Sequence, residues 1–305
     1  MQHRRIGSLT VSVVGMGCNN FGRRIDERRT AEVVAAALDA GITFFDTADM
    51  YGDTLSEQYL GRALAGRRNR AVVATKFGWE LDGERKGASP AYVRRAAEDS
   101  LGRLGTDHID LYQLHKPDLT VPIGDTLAAL DELVKAGKVR EIGCSNFSAA
   151  QLREAETAVR QGAARFVSVQ NEYSLLQREP EREVLPECER LGLAFLPFFP
   201  LSSGLLSGKY RLGKPAPAGS RITPDGRFSE LLSGEMLRRV EALIAFAEGR
   251  GRTILELAFS WLASRKPVAS VIAGATSAEQ VRANALAADW ALTSAELAEI
   301  DRILA

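Results

Sequence analysis

A short apolar segment of this chain runs into Gly15-Met16-Gly17-Cys18-Asn19-Asn20, and this stretch decides between two ways of building the fold. An open dinucleotide-binding sheet carries G-x-G-x-x-G after its first strand, where the last glycine opens a helix. Here Asn20 stands in place of the third glycine, and no helical pattern begins there. The stretch therefore argues against an open nucleotide-binding sheet.

The rest of the chain alternates short apolar segments with longer amphipathic ones. The short segments show little polar alternation, which is typical of strands buried on both faces. They are Val14 to Cys18, Thr43 to Asp46, Ala71 to Thr75, Ile109 to Leu114, Ile142 to Ser145, Phe166 to Gln170, Leu193 to Phe198 and Ser270 to Ala273. Eight strands that alternate with helices predict a parallel sheet, and without the nucleotide-binding motif we expect it to close into a (β/α)8 TIM barrel.

Two helices can be placed by their ends. The pattern from Thr30 to Ala40 predicts a helix with Thr30 as its N-cap and Gly41 as its stop. Ser89-Pro90 predicts a second helix, with serine at the N-cap and proline at the first helical position.

Two segments fall outside the alternation. Residues Arg4 to Val13, around Gly7-Ser8, predict a small hairpin that plugs the bottom of the barrel. From Ser202 to Ser233, after the seventh strand, glycines and prolines predict a long loop, and loops of this length in compact domains are usually functional.

Composition limits the classes of protein that this chain represents. It has 305 residues, 45% hydrophobic and 26% charged, which suits one catalytic barrel domain spanning residues 1–305. Lys plus Arg and Asp plus Glu both total 39, so the charge balance gives no support for a nucleic-acid or membrane partner. No secretory signal is evident, and the three widely spaced cysteines suggest neither disulfides nor a metal site, so we expect a cytoplasmic protein.

Polar side chains stand at the ends of three consecutive predicted strands. These are Asp46, Lys76 and His115, with Tyr51 in the loop between the first two. Active sites of such barrels lie at this end of the strands. A tyrosine keeps its proton at neutral pH, and a lysine ammonium held by a carboxylate would lower the tyrosine pKa. The set predicts proton donation to a carbonyl oxygen, with His115 aligning the substrate and no metal required.

These residues give the chain its resemblance to the aldo-keto reductase superfamily. The motifs that carry it follow one another over nearly the whole chain. They are Phe44-Phe45-Asp46-Thr47-Ala48-Asp49-Met50-Tyr51-Gly52, Ala74-Thr75-Lys76, Asp110-Leu111-Tyr112-Gln113-Leu114-His115, Gly143-Cys144-Ser145-Asn146-Phe147, Pro200 to Tyr210 and Gly274 to Asn284.

The resemblance implies a barrel that binds NADP(H) and a catalytic tetrad of Asp46, Tyr51, Lys76 and His115. It also implies a set of cofactor-binding residues, which runs from the nicotinamide carboxamide through the stacking ring and the pyrophosphate to the adenosine end. They are Ser145, Asn146, Gln170, Phe198, Leu201, Ser203, Gly204, Lys209, Arg221, Gly274, Thr276, Ser277, Gln280 and Asn284.

The chain departs from its resemblance at the adenosine end. Many relatives carry Arg or Lys at the position of Thr276 or Ser277, and an acid at the position of Ala283. Hydroxyl groups and helix N-terminal amides can also hold a phosphate, so we expect NADPH, with NADH as the alternative.

The resemblance leaves the substrate open. Rim aromatics Phe21, Trp79 and Phe147 are the candidate substrate residues, and an aromatic pocket suits aldehydes and ketones with apolar bodies. We therefore expect NADPH-dependent reduction of a small carbonyl compound. Two alternatives remain: oxidation of a sugar or hydroxysteroid with NAD(P)+, and a cofactor-sensing regulatory subunit with little turnover.

Overall fold

A computed structural model describes residues 1–223, 226 and 228–305 of the chain. Its strands fall where short apolar segments predict them, preceded by a hairpin. They are β1 His3–Ile6, β2 Leu9–Ser12, β3 Val14–Gly17, β4 Phe44–Asp46, β5 Val72–Phe77, β6 Ile109–Leu114, β7 Val139–Ser145, β8 Phe166–Glu172, β9 Ala194–Phe198 and β10 Val271–Gly274.

Strands β3 to β10 form one eight-stranded parallel sheet in the order β10-β3-β4-β5-β6-β7-β8-β9. Its two edges meet where Phe195 of β9 exchanges backbone hydrogen bonds with Pro267 and Ala269, just before β10. The sheet is thereby nearly closed, which confirms the predicted (β/α)8 barrel.

Ten α-helices are described, and most of them connect successive strands on the outside of the barrel. They are α1 Glu27–Asp39, α2 Leu55–Ala63, α3 Pro90–Leu104, α4 Ile123–Lys135, α5 Ala149–Ala158, α6 Val184–Leu191, α7 Gly234–Glu248, α8 Ile254–Ala263, α9 Ala278–Leu286 and α10 Ser294–Leu304. No described helix is both long and apolar enough to cross a membrane.

The ends of the helices follow local capping rules. Ser89 caps α3 by accepting a hydrogen bond from the Tyr92 amide, with Pro90 in the first turn, as predicted. The predicted start of α1 is wrong by four residues, because Asp26 rather than Thr30 is its N-cap. The Asp26 carboxylate accepts from the Arg29 amide, and Thr30 lies inside the first turn, where its hydroxyl donates to the Asp26 carbonyl.

The hairpin β1–β2 covers one end of the barrel. Ile6, Leu9 and Val11 are buried in a separate apolar cluster with residues of β4 and other barrel strands. At the hairpin tip the Ser8 amide donates to the Glu141 carboxylate over 2.6 Å. Gly7 has a φ of +55°, and a Cβ there would lie 2.6 Å from the same carboxylate, so the tip requires glycine. The predicted plug is confirmed.

The glycines at the start of the barrel have a packing role. A Cβ on Gly15 would lie 2.8 Å from Ser270 Oγ and 2.9 Å from the Phe44 ring, inside the barrel. The pair Gly15 and Gly17 therefore lets neighbouring strands pack, and it does not form a phosphate loop of the open-sheet type.

The predicted long loop lies between β9 and α7. Within it the structure describes short 3-10 helices at Ser202–Ser207 and Ser229–Leu232. Residues 224, 225 and 227 of this predicted loop lie outside the described residues. The loop leaves the barrel at the same end as the polar residues of the strand ends.

Candidate active site

Three barrel strands bring the polar side chains of the predicted tetrad together. Asp46 is the last residue of β4, Lys76 the next to last of β5, and His115 follows β6 directly. Neighbouring parallel strands end at the same edge of the sheet, so their last residues face one site.

Lys76 is the centre of this group. Its Nζ donates to Asp46 Oδ2 and to the Thr47 carbonyl over 2.8 Å each, and to the Tyr51 hydroxyl over 3.4 Å. The ammonium has three protons, and all three find an acceptor. Because Lys76 is fully buried, these contacts fix its position.

The second oxygen of Asp46 is held as well. Oδ1 accepts from the side-chain amides of Gln170 over 2.9 Å and Gln113 over 3.3 Å. Gln113 was not among the predicted site residues, although it lies in the motif that ends at His115. Gln170 was predicted to hold the nicotinamide, and in this structure its amide nitrogen orients Asp46.

Burial and the neighbouring polar groups have opposite effects on the pKa of Lys76. Burial lowers its pKa, but the neighbouring Asp46 carboxylate and Tyr51 outweigh burial, and the net pKa is raised. Lys76 is therefore an ammonium at neutral pH.

Tyr51 differs from the expectation drawn from sequence. Burial raises the pKa of its hydroxyl, Asp46 raises it further, and Lys76 lowers it by less than these together. The predicted contribution of Lys76 has the right sign, but the expected net lowering is wrong because sequence does not report burial. Tyr51 keeps its proton through the neutral range.

His115 is neutral in this environment. Burial, followed by the charges of Lys76 and Lys116, holds its pKa well below the usual range. Its ring meets the Tyr51 ring edge-on at 5.9 Å between centroids and lies 5.5 Å from the Trp79 ring. A neutral imidazole here can donate one hydrogen bond towards the same point as the Tyr51 hydroxyl.

Ser145, Asn146 and Gln170 lie together beside the tetrad. Ser145 Oγ donates to the Gln170 carbonyl, and Asn146 Nδ2 donates to Ser145 Oγ and the His115 carbonyl. Asn146 has a φ of +61°, which is uncommon for a residue with a side chain. Phe198 ends β9 with a half-buried ring, 5.2 Å from the Phe199 ring. Hydrogen-bonding groups and an aromatic face suit a nicotinamide.

The predicted pyrophosphate residues begin the long loop. Ser202, Ser203 and Gly204 all have positive φ. A Cβ on Gly204 would lie 3.4 Å from Lys209 Nζ, so the glycine leaves a small cradle beside an ammonium. Leu201 precedes this turn, and the Arg221 guanidinium lies over the Phe199 and Phe228 rings at 5.2 and 5.5 Å. Backbone amides next to a cation suit a phosphate group.

The residues predicted for the adenosine end gather at the start of α9. Ser277 caps the helix, and Gln280 Oε1 accepts from the Thr276 amide and hydroxyl. Gly274 ends β10, and Asn284 is buried in α9.

Sequence analysis missed Arg29 at this position. Arg29 belongs to α1, and its Nε donates to the Thr276 carbonyl over 3.1 Å while Nη1 pairs with Glu32. Because 247 positions separate Arg29 from Thr276, no local pattern reports the contact.

The predicted substrate residues separate into two groups. Trp79 is 39% exposed, with Lys116 Nζ 4.7 Å from its ring centroid. Phe21 and Phe147 are 0% and 3% exposed, and they pack within the main hydrophobic core. Since neither ring presents surface to a ligand in this structure, only Trp79 remains as a candidate.

Backbone strain concentrates at the same rim. Six described residues other than glycine have positive φ: Asp53, Thr54, Asn146, Phe199, Ser202 and Ser203. All six lie in loops that follow the carboxyl ends of β4, β7 and β9. Such strain is typical of functional sites. Among the described residues, no group of three or more His, Cys, Asp or Glu is placed to hold a metal ion.

A barrel whose strand ends bring a Lys–Asp–Tyr set together, beside hydrogen-bonding groups and an aromatic ring, is typical of NAD(P)H-dependent oxidoreductases. The chain belongs to the aldo/keto reductase family, whose model matches residues 13–305.

Curated relatives match over nearly the full length. A protein named aldo-keto reductase YhdN from Bacillus subtilis (strain 168) is 34% identical, covering 97% of this chain and 91% of the relative. A probable voltage-gated potassium channel subunit beta from Oryza sativa subsp. japonica is 35% identical over 95% of this chain and 92% of its own length.

A solved structure of similar shape is the glycerol dehydrogenase AKR11B4 from Gluconobacter oxydans. It has a TM-score of 0.87 and 31% identity, and the match covers 99% of this chain and 94% of that one.

Proposed function

We propose that this protein reduces an aldehyde or ketone to an alcohol with NADPH, and that Tyr51 donates the proton. The observation that carries the proposal is the position of Lys76, whose ammonium bridges the Asp46 carboxylate and the Tyr51 hydroxyl. This arrangement supplies an acid and the charge that stabilises its conjugate base.

When bound, NADPH would supply the hydride that reduces the carbonyl carbon. The remaining chemistry belongs to the chain. The Tyr51 hydroxyl donates its proton to the oxygen as the carbonyl becomes an alcohol, and the Lys76 ammonium stabilises the phenolate that forms. The neutral His115 ring donates a hydrogen bond to the same oxygen and aligns it.

The cofactor would lie along the rim from Phe198 to α9. Ser145 and Asn146 would hold the carboxamide, Phe198 would stack on the ring, and the cradle at Gly204 with Lys209 would receive the pyrophosphate. These features of the chain fit the chemistry of the cofactor, which has a flat ring, an amide and several phosphates.

The preference for NADPH rests on Arg29. Thr276 and Ser277 offer hydroxyl groups only, but the Arg29 guanidinium reaches Thr276 from α1. Within the part of the chain that the structure describes, its Nη2 makes no hydrogen bond. The Nη2 donors of Arg29 beside two hydroxyl groups suit a 2′-phosphate.

The substrate would enter beside Trp79 with an apolar body. Trp79 is joined at the rim by Leu119, which is 88% exposed in the loop after β6. Exposed apolar side chains at a site mouth favour an aromatic or aliphatic carbonyl compound.

The test is turnover in the direction of reduction with both cofactors. Purified protein is mixed with NADPH or NADH and a panel of aromatic and aliphatic aldehydes and ketones, and oxidation of the cofactor is followed by absorbance. We expect reduction with NADPH to be faster than with NADH. The absence of turnover across the panel would contradict the proposal.

Alcohol oxidation is the second candidate, favoured by the similar structure named as a glycerol dehydrogenase. The same residues serve both directions, with Tyr51 then acting as the base. A higher kcat/KM for polyols, sugars or hydroxysteroids with NAD(P)+ than for any carbonyl with NADPH would favour this assignment.

A regulatory role is the third candidate, because the relative from Oryza sativa subsp. japonica is named as a probable voltage-gated potassium channel subunit beta. Co-purification of a stable partner, together with negligible turnover on every substrate and tight NADPH binding, would favour it over catalysis.

A further inference from the structure

A buried carboxyl group lies directly behind the tetrad and takes no part in the proposed chemistry. Asp49 is 1% exposed, and neither of its side-chain oxygens has a well-formed hydrogen bond within the described residues. The Tyr112 hydroxyl is similarly buried and without a partner there. An ionised carboxylate in such a place is strongly disfavoured unless a cation or several donors reach it.

Asp49 is nevertheless tied to the catalytic lysine through the backbone. Its amide donates to the Lys76 carbonyl over 3.1 Å, while Lys76 Nζ donates to the carbonyl of Thr47. The segment 46–51 is thus joined to β5 by both main chain and side chain. Asp49 lies two residues before Tyr51, so a displacement of Asp49 is transmitted to the proposed acid.

A second carboxylate occupies the same region and pairs with one of the two cations that act on Asp49. Glu57 of α2 accepts from the Thr75 hydroxyl over 2.5 Å and from Arg103 Nε of α3 over 2.6 Å. Glu57 is fully buried. If Asp49 also lost its proton, two carboxylates would share one guanidinium.

The groups that face Asp49 come from each element packed around it. They are Glu57 of α2, Arg103 and Tyr92 of α3, Lys76 of β5 and Tyr112 of β6. The two cations in this set are already in use, since Arg103 binds Glu57 and Lys76 holds Tyr51 and Asp46. An ionised Asp49 would draw on one of them.

We propose that Asp49 is a positioning residue, and that its carboxyl group must carry a proton for the segment 46–51 to hold Tyr51 against Lys76. Loss of that proton recruits Lys76 or Arg103 towards Asp49 and disturbs the Tyr51–Lys76 contact. Reduction is then slow at pH values where Asp49 is ionised, although cofactor binding is unchanged. This inference rests on the proposed reductase function, because its kinetic readout is turnover.

The titration of Asp49 can be separated from that of the tetrad. Burial and the Glu57 charge raise the pKa of Asp49 to about 7, outweighing Arg103, the Met50 amide and Lys76. Burial raises the pKa of Tyr51 above its usual value. Burial, together with the charges of Lys76 and Lys116, holds the pKa of His115 well below its usual value. A fall in rate near pH 7 is therefore expected from Asp49 and from neither Tyr51 nor His115.

The test compares kcat profiles from pH 5.5 to about pH 9 for the wild type and Asp49→Asn. If only the protonated form is active, wild-type kcat falls roughly tenfold between pH 6 and pH 8. Asparagine resembles the protonated acid in shape and charge, so its ratio of kcat at pH 6 to kcat at pH 8 should be close to one. The exposed Asp39→Asn on α1 is the matched control and should keep the wild-type step.

A second variant tests the inference independently, including the case in which Asp49→Asn fails to fold. Glu57→Gln removes the neighbouring negative charge, so the step should move to lower pH. A step that persists in Asp49→Asn, or stays at the same pH in Glu57→Gln, would overturn the inference.

Infrared spectroscopy separates this inference from the proposed function. A protonated carboxyl band should be present at pH 6, weaken by pH 8 and be missing from Asp49→Asn. If the band is found but no carbonyl compound is reduced, the proposed function fails and the proton on Asp49 stands. If the band is absent at pH 6, the inference fails whatever the turnover.

Discussion

Lys76 is the residue that holds the other polar groups of the site in place. Its ammonium is buried, yet each of its three protons has an acceptor in Asp46, Thr47 or Tyr51. Removing one partner of a buried charge pair typically costs about 3–5 kcal/mol, because the other charge is left uncompensated. The site is therefore rigid before any ligand arrives, which favours preorganised stabilisation of charge.

The protonation of Asp49 should make the stability of the protein depend on pH. Its pKa is about 7 in the folded protein against an ordinary value of 3.8, so the unfolded chain releases this proton more readily. Stability is therefore lost as pH rises from about 4 to about 7, and the loss is complete above that range. We expect Asp49→Asn to melt at a higher temperature than the wild type at pH 8, with a smaller difference at pH 5. Thermal unfolding followed by circular dichroism at both pH values measures this, and an equal difference at both would contradict it.

The bounds of the strands and helices indicate how much of this structure the sequence alone predicts. The apolar segments predict the barrel strands to within about three residues at each end, because strands buried on both faces carry an unbroken apolar pattern. The sequence does not determine the start of α1, since Asp26 and Thr30 are both suitable caps and only the fold selects one. The positions of Asp46, Tyr51, Lys76 and His115 follow from strand ends.

Contacts between distant elements could not be predicted. Gln113 on Asp46, Glu57 on Thr75 and Arg29 on Thr276 each join separate elements. The burial of Phe21 and Phe147 likewise depends on packing around them, which a local pattern does not report.

The contact between α1 and the loop before α9 gives a prediction about cofactor choice. Arg29→Ala removes the guanidinium beside Thr276 and should weaken NADPH binding by roughly tenfold or more, with NADH little changed. Arg28→Ala is the matched control, because Arg28 also pairs with Glu32 but its side chain is 82% exposed. Dissociation constants from quenching of tryptophan fluorescence measure both effects. Equal weakening of both cofactors by Arg29→Ala would argue against a role in choosing NADPH.

The two ends of the barrel have different roles, one in function and the other in stability. The strained loops and the tetrad lie at the carboxyl ends of the strands. Towards the other end, Asp110 near the start of β6 accepts from Arg68 over 2.6 Å, from Arg140 over 2.7 Å and from the Val73 amide over 2.9 Å. Its side chain is 2% exposed. Barrels commonly divide these tasks in this way.

That division predicts a variant that loses stability and keeps activity. Asp110→Ala removes the carboxylate that neutralises two guanidinium groups and leaves the buried Val73 amide without its acceptor. We therefore expect a loss of about 3 kcal/mol in the free energy of unfolding. The kcat of the folded fraction should be unchanged. Glu132→Ala, which breaks the exposed pair with Arg94, is the control and should cost under about 1 kcal/mol. Urea titration and activity at 25 °C check both, and a large drop in kcat for Asp110→Ala would contradict the separation.

The most direct test of the central claim is the rate of NADPH oxidation in a single turnover by Tyr51→Phe. Phenylalanine keeps the ring beside His115 and removes only the hydroxyl that contacts Lys76. We expect the rate to fall by at least about a hundredfold, since a general acid contributes on that order or more, while the dissociation constant of NADPH stays within about twofold of wild type. A Tyr51→Phe protein that binds NADPH normally and reduces the carbonyl at the wild-type rate would contradict the assignment of Tyr51 as the proton donor.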